Sequence, residues 1–303
     1  MDKLLGIGDN VVDVFVERGK MYPGGNALNV SVYGKMLGAE TGYFGYFGND
    51  RYGTLNRRVL GEVGVDCSRC RIMEGESGYT RVKVENGERV IASANQGGAL
   101  KSQNWDLGPE DLAYIEDYKV VYSGLNSYIE PRLKQIRESA AVLAYDFSNR
   151  FTEQYLQEIC PSCDVACISA GHLSREDTCR ILHKMADFGT VLAVGTRGKD
   201  GTILYWRGRF YDGKAETASI KDTMGAGDAY LAALLTDLFL RKGHLPKDCL
   251  DDAIPEAMAY AAAFAAEICG LEGAFGYGEN VGDPKEAHGG KYERLLRRQE
   301  QNK

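Results

Sequence analysis

Asp222-Thr223-Met224-Gly225-Ala226-Gly227-Asp228 runs without a break into Ala229 to Leu240, an apolar stretch of helical character that contains no proline. Gly225 and Gly227 let the backbone turn tightly, so that the first N–H groups of the helix, which have no intrahelical partners, point outward at a phosphate or a developing oxyanion. The helix macrodipole adds partial positive charge there, and Asp228, in the first turn, sits beside whatever those groups hold. In phosphoryl transfer a protein supplies position and electrostatics, plus one acceptor for the proton of the attacking hydroxyl. Asp228 fits the acceptor; Gly225, Ala226 and Gly227 fit the anion site. A glycine turn before a helix is often only structural and Asp is a common helix-start residue, so the reading depends on the rest of the chain.

Working outward, Leu4-Leu5-Gly6-Ile7-Gly8 reads as a first strand ending in Asp9-Asn10-Val11-Val12-Asp13. Ligands of open parallel sheets bind beyond the carboxyl ends of strands, where Asp9, Asn10 and Asp13 emerge; capping and turn-making are the competing roles for the first two. Gly24 and Gly25 form a hinge into a helix from about Asn26 to Leu37, with Asn26 and Asn29 in its first turn and Leu28 and Val32 toward a sheet. Tyr43 to Phe47 is a second strand, followed by a helix near Arg51 to Leu60. From Tyr79 to Ala94, polar and apolar residues alternate around Asn86-Gly87, the strongest short-range hairpin signal. With a strand pair over Val12 to Tyr22, that hairpin makes a small sheet able to act as a lid.

From Leu112 a helix and strand alternation resumes. Runs at 119–122, 141–145, 164–168 and 190–194 are β-rich, with helical stretches near 131–139, 152–159 and 174–188 between them. That order demands a largely parallel sheet of α/β type. Thr202 to Trp206 is a further strand, 262–276 reads as a loop, and the chain from Gly278 is a polar tail, charged over Lys291 to Arg298.

Composition excludes several classes. The 303 residues are 44% hydrophobic and 26% charged, an ordinary globular balance, and the formal net charge of -7 leaves no basic stripe for nucleic acid. No apolar run has the length of a membrane span, and the start lacks the apolar core of a signal peptide; a cytoplasmic enzyme is expected. Cys67 with Cys70, and Cys160 with Cys163, have ligand-pair spacing, but Cys163 and Cys167 fall around a strand, so the eight cysteines read better as small hydrophobes of a reducing compartment than as zinc ligands. The histidines are scattered. No resident metal site is expected from this chain's own residues.

The C-terminal turn, followed by the small residues Ala232 and Ala233, resembles one signature of the ribokinase-like (PfkB) family of carbohydrate and nucleoside kinases. Gly24-Gly25-Asn26-Ala27-Leu28-Asn29-Val30-Ser31, with Gly38 and Gly48, resembles the other, and the likeness extends over about 4–276. The resemblance implies a three-layer α/β sandwich with a mostly parallel central sheet and a β lid from about 11–22 and 78–95, on a kinase domain spanning 1–277 with 278–303 as a tail. It implies ATP with Mg2+, Asp228 as base, and Asp9, Asn10, Asp13, Gly25, Asn26 and Asn29 toward the sugar. Thr196, Gly198 and Gly201 would lie along the nucleotide phosphates, with Asp222 and Thr223 beside them. Ala266 and Cys269 fall where the family walls the adenine and, in several members, holds a monovalent cation such as K+. A homodimer through the lid follows from the same resemblance. One element departs from the family: Ser169-Ala170-Gly171-His172 stands where its Asn-x-x-Glu is found, and Glu176 is displaced from it.

Within the family, Gly8-Asp9-Asn10, Tyr52-Gly53, Gly64-Val65-Asp66 and Asp146-Phe147-Ser148 are most similar to kinases of fructosamines, adducts of a sugar and an amino acid. The expected reaction is phosphorylation of the primary 6-hydroxyl of a fructosamine such as fructoselysine, with carboxylates including Asp146 near the secondary ammonium and a lid arginine, Arg81 or Arg89, near the carboxylate; a fructokinase, ribokinase or nucleoside kinase is the alternative. A nicotinamide dehydrogenase would carry Gly-x-Gly-x-x-Gly after the first strand, and Gly6-Ile7-Gly8-Asp9 lacks the third glycine. A catalytically dead sensor would have lost Asp228.

Overall fold

A computed structural model describes residues 3–85, 88–216 and 219–281, without the side chains of 84–90. The Asn86-Gly87 turn, the Arg89 side chain and the charged stretch 291–298 therefore lie outside the described residues. In chain order the elements are β1 (Lys3–Ile7), β2 (Val11–Phe15), β3 (Lys20–Gly24), α1 (Asn26–Met36), β4 (Glu40–Phe44), β5 (Tyr46–Gly48), α2 (Arg51–Val63), β6 (Arg71–Met73), β7 (Gly78–Glu85) and β8 (Glu88–Ala94). There follow α3 (Pro109–Glu116), β9 (Val120–Gly124), α4 (Leu133–Ser139), β10 (Val142–Asp146), α5 (Glu153–Ile159), β11 (Val165–Ser169) and α6 (Arg175–Asp187). The last are β12 (Leu192–Thr196), β13 (Thr202–Trp206), β14 (Arg209–Gly213), α7 (Ala226–Leu235), α8 (Ala253–Ile268) and β15 (Glu279–Asn280).

The main sheet has the order β14-β13-β12-β11-β10-β9-β1-β4, and its neighbours are parallel from β12 through to β4. β13 runs antiparallel to both its neighbours. Alternate side chains of the same strands feed two cores. Leu4, Val120, Tyr122, Val142, Val165 and Val194 pack with α1, α7 and α8, whereas Leu5, Val121, Leu143, Ala166 and Ala193 pack with residues of α3, α4, α5 and α6. That period-two division is why these strands read as continuous apolar runs, and it yields the expected three layers.

A second sheet, β15-β3-β2-β7-β8, is the expected lid. Its hairpin is the β7–β8 pair, with a register irregularity between Arg81 and Val82. At the head of the C-terminal segment, Glu279 and Asn280 pair with β3.

Three readings are corrected. The Tyr43 to Phe47 strand is two elements broken at Gly45: β4 belongs to the main sheet and β5 pairs with β6. Gly45 has no room for a side chain, since a Cβ would lie 2.1 Å from the Tyr43 hydroxyl. Residues 262–268 are the last turns of α8 rather than loop, because the alanine-rich run from Ala253 keeps a strong helix propensity up to Ile268. The helix expected through Leu240 is α-helical only to Leu235 and continues as a π-helix over Thr236–Arg241.

Candidate active site

α7 begins at Ala226 on a left-handed Gly225, with φ 72°. A side chain there would be strained, and its Cβ would also lie 2.2 Å from the Tyr33 hydroxyl. The turn is tied down from behind: one Asp222 carboxylate oxygen accepts the Met224 N–H at 3.0 Å and the other the Gly273 N–H at 3.2 Å. Cys269 O accepts the Lys221 and Asp222 N–H groups at 2.8 and 3.2 Å. Asp222 thus braces the turn through its side chain, Cys269 braces it through its carbonyl, and Thr223 is exposed on it. Ala226 N–H turns back to Thr223 O at 3.3 Å, and Gly227 and Asp228 follow it in the first turn, where helix amides have no intrahelical acceptor.

Asp228 is only 6% exposed. One of its oxygens accepts the Asn26 side-chain N–H at 2.8 Å and the other the Asn29 side-chain N–H at 2.8 Å. Burial pushes its pKa up to about 7; the two amides pull it down, and Asp146 and Asp9 push it up further. Asn29 is itself buried, and its Oδ1 has no hydrogen-bond partner. A buried acceptor next to a carboxylate is a place where a substrate hydroxyl can bind, because leaving such an atom unmet is costly.

Asp9 takes the capping role that competes with the ligand role expected of it. Its oxygens accept the Asn26 and Ala27 N–H groups at 2.8 and 3.1 Å, so it caps α1 from the end of β1 and fixes the start of the helix that carries Asn26 and Asn29. Burial raises its pKa, against the lowering effect of those N–H groups. Asn10 is likewise structural. Its amide N–H groups go to the Tyr43 hydroxyl and Tyr46 O, each at 2.9 Å, and its Oδ1 accepts Asn56 at 3.2 Å. Gly25, φ 111°, lies against the same strand end, where a Cβ would fall 2.7 Å from Asn10 Cα. These three build the wall of the site.

Asp146, at the end of β10, accepts the Ser148 N–H at 2.8 Å and the Tyr122 hydroxyl at 3.5 Å. Burial raises its pKa to about 6, with Asp9 adding to the rise. Asp13 is buried in the lid strand β2, opposite Tyr22 and Thr80 of its neighbours. Arg81 lies over the Tyr79 ring, 5.5 Å from its centre. Thr196 is half-buried at the end of β12, and Gly198 and Gly201 have left-handed φ of 57° and 84° in the next turn. Ala266 is half-buried in the last turn of α8.

Two further residues reach this site that sequence reasoning did not single out. Asn126, in a short turn after β9, donates its side-chain N–H to Asn26 Oδ1 at 3.0 Å, and Arg150 donates to Asn126 Oδ1. Asn126 carries no local signal, since only the pairing of β9 beside β1 brings it over α1. Arg150 lies just beyond Asp146-Phe147-Ser148 and could have been weighed with it.

A mostly parallel eight-stranded sheet with a separate five-stranded sheet is the architecture of a ribokinase-like fold, and a buried carboxylate stands in the first turn of α7. The family model described as pfkB family carbohydrate kinase matches residues 5–276. The chain belongs to that family and is a carbohydrate kinase. It is 36% identical over 278 residues to fructosamine kinase FrlD of Bacillus subtilis (strain 168), across 91% of this chain and 94% of that protein. To the fructoselysine 6-kinase of Escherichia coli (strain K12) it is 29% identical over 276 residues, across 91% of this chain and 100% of that one. The Arabidopsis thaliana ribokinase structure complexed with ribose and ATP superposes with a TM-score of 0.76 at 18% identity, covering 90% of this chain and 94% of that one, a likeness of fold.

Proposed function

We propose that the protein transfers the γ-phosphoryl group of ATP to the primary 6-hydroxyl of a fructosamine, foremost fructoselysine. The observation that carries the reading is Asp228: a carboxylate poised near neutrality, held by Asn26 and Asn29 at the start of α7. Asp228 takes the hydroxyl proton as the oxygen attacks, and Asn29 Oδ1 beside it holds a neighbouring hydroxyl. The Gly227 and Asp228 N–H groups face the charge that develops on the phosphoryl oxygens. Asp146 and Asp13 are the carboxylates offered to the secondary ammonium, a contact of about 1.5–3 kcal/mol, and a lid arginine meets the adduct's carboxylate. Closure of the lid excludes water that would otherwise accept the phosphoryl group.

Thr196, Gly198 and Gly201 border the nucleotide phosphates in this reading. In this reading Mg2+ enters on the nucleotide, and no step is assigned to it. No helix is long and apolar enough to cross a membrane among the described residues. We place the enzyme in the cytoplasm as a homodimer meeting through the lid, with K+ dependence carried by the 262–276 segment; sedimentation and activity with K+ exchanged for a bulky cation test those two points. For the substrate, ATP turnover is measured with fructoselysine, other fructosamines, fructose, ribose and adenosine. The expected order has fructoselysine highest in kcat/KM, with phosphate on the 6-hydroxyl. A higher kcat/KM for fructose or ribose would overturn the substrate and leave the kinase standing.

A further inference from the structure

We propose that Arg150 and Asn126 are positioning residues for Asp228, forming a one-way chain of hydrogen bonds from the surface to the base. The chain runs from the Arg150 guanidinium to Asn126 Oδ1, from the Asn126 amide N–H to Asn26 Oδ1 at 3.0 Å, and from the Asn26 amide N–H to Asp228 Oδ1 at 2.8 Å. A side-chain amide can face either way, because its oxygen and nitrogen are alike in shape. A guanidinium removes that freedom, since it only donates. Asn126 must turn its oxygen to Arg150, its N–H then faces Asn26 Oδ1, and the remaining N–H of Asn26 is directed at the base. An ionised carboxylate only accepts, so the two ends of the chain demand the same polarity.

The consequence is an oriented donor in a place that otherwise disfavours charge. Asp228 is faced by Asn26, Asn29 and the Tyr33 phenol of α1, by Asp9 at the end of β1, Tyr122 of β9, Asp146 of β10 and Cys167 of β11, none of which is a cation. The ionised state of the base is therefore supported by amide dipoles, and their orientation is worth controlling. The exposed Arg150 controls it without entering the site, where a cation would lower the affinity of the base for a proton far more than one amide does.

This inference rests on Asp228 being the base, but its test reads the carboxyl directly. In protein labelled with 13C at the aspartate carboxyls, the Asp228 signal is assigned by its absence from Asp228→Asn and titrated in the parent and in four variants. Asn126→Leu breaks the chain and keeps the Arg150 charge; Arg150→Met removes the donor; Arg150→Lys restores one; the fourth is the Asn126→Leu/Arg150→Met double variant. The expected result is that Asn126→Leu and Arg150→Met each raise the Asp228 midpoint by about half a unit, roughly a threefold loss of ionised base below it, that the double variant adds nothing, and that Arg150→Lys titrates close to the parent. Asn126→Ser, which shortens the side chain out of reach, serves should Asn126→Leu not fold. An unmoved midpoint when Asn126 is replaced overturns the proposal: with a shift in Arg150→Met only the bare charge would act, and without one neither residue would. Turnover that survives in Asp228→Asn would instead end the base assignment, a separate outcome.

Discussion

Two buried carboxylates in this molecule are treated in opposite ways. Asp111, 2% exposed at the start of α3, is gripped by Arg69 at 2.5 Å and Arg71 at 2.7 Å and accepts the Gly108 N–H at 3.0 Å. Burial pushes its pKa upward, but Arg69, the Gly108 N–H and Arg71 together hold it below the usual carboxylate value. Asp228, almost as little exposed but set deeper in the protein, is raised by burial, meets no cation, and stands near 7. A carboxylate kept to join two elements is given cations, and one kept to take a proton at neutral pH is denied them. The contrast gives a way to tell structural aspartates from candidates for proton transfer that look alike in the sequence.

The largest expected effect falls on the chemical side. Asp228→Asn should keep the fold and nucleotide binding and lose about a hundredfold or more in turnover, the scale of a positioned base, measured by coupled ADP release at saturating sugar. Asp111→Asn should do the reverse: a loss of about 2 kcal/mol in urea unfolding, discounted because both arginines are partly exposed, with turnover per folded molecule near the parent. A large kinetic defect in Asp111→Asn would blur the distinction.

The same contrast fixes opposite signs with pH. Asp111, with a lowered native pKa, contributes stability above the ordinary carboxylate range that is lost as the solution is acidified. Asp228, with a raised one, contributes stability below about 4 that is lost as pH rises through about 7. The unfolding free energy of the parent should therefore fall more steeply between about pH 4 and 7 than that of Asp228→Asn; parallel curves would deny the shift. At Gly225, Ala should cost about 2 kcal/mol through its left-handed φ and the Tyr33 hydroxyl, seen as a lower Tm. The smallest effect is expected where β15 meets α2. Glu279→Gln releases Arg51 and Arg58, an exposed arrangement worth about 0.5 kcal/mol, and a loss much above that would show the lid edge to be a cooperative part of the fold.

Much of this was legible in the sequence because it is local. The glycine turn with Asp228, the hairpin around Asn86-Gly87 and the β-rich runs each carry their signal within a few residues. The structural partners of Asp9 and Asn10, the start of α1 and Tyr43, Tyr46 and Asn56, are not legible in the sequence because they come from other elements, and a polar residue at a strand end looks the same whether it caps a helix or meets a ligand. β14 and β6 are short runs broken by charge, and the end of α8 reads as loop because its last alanines run on into Gly270 to Gly276. Asn126 and Arg150 depend on sheet order, which periodicity does not reveal.

The central claim is that the carboxylate at the head of α7 works as a base because its burial among amides sets its pKa near neutrality. The most direct test is kcat/KM for the sugar as a function of pH, at constant ionic strength, because that ratio reports the groups of the enzyme before the sugar binds. The account predicts a kcat/KM that rises with pH on an acid limb centred near 7 and levels off above it. A limb centred near 4, where an ordinary exposed carboxylate titrates, or a kcat/KM already flat through the neutral range, would contradict it.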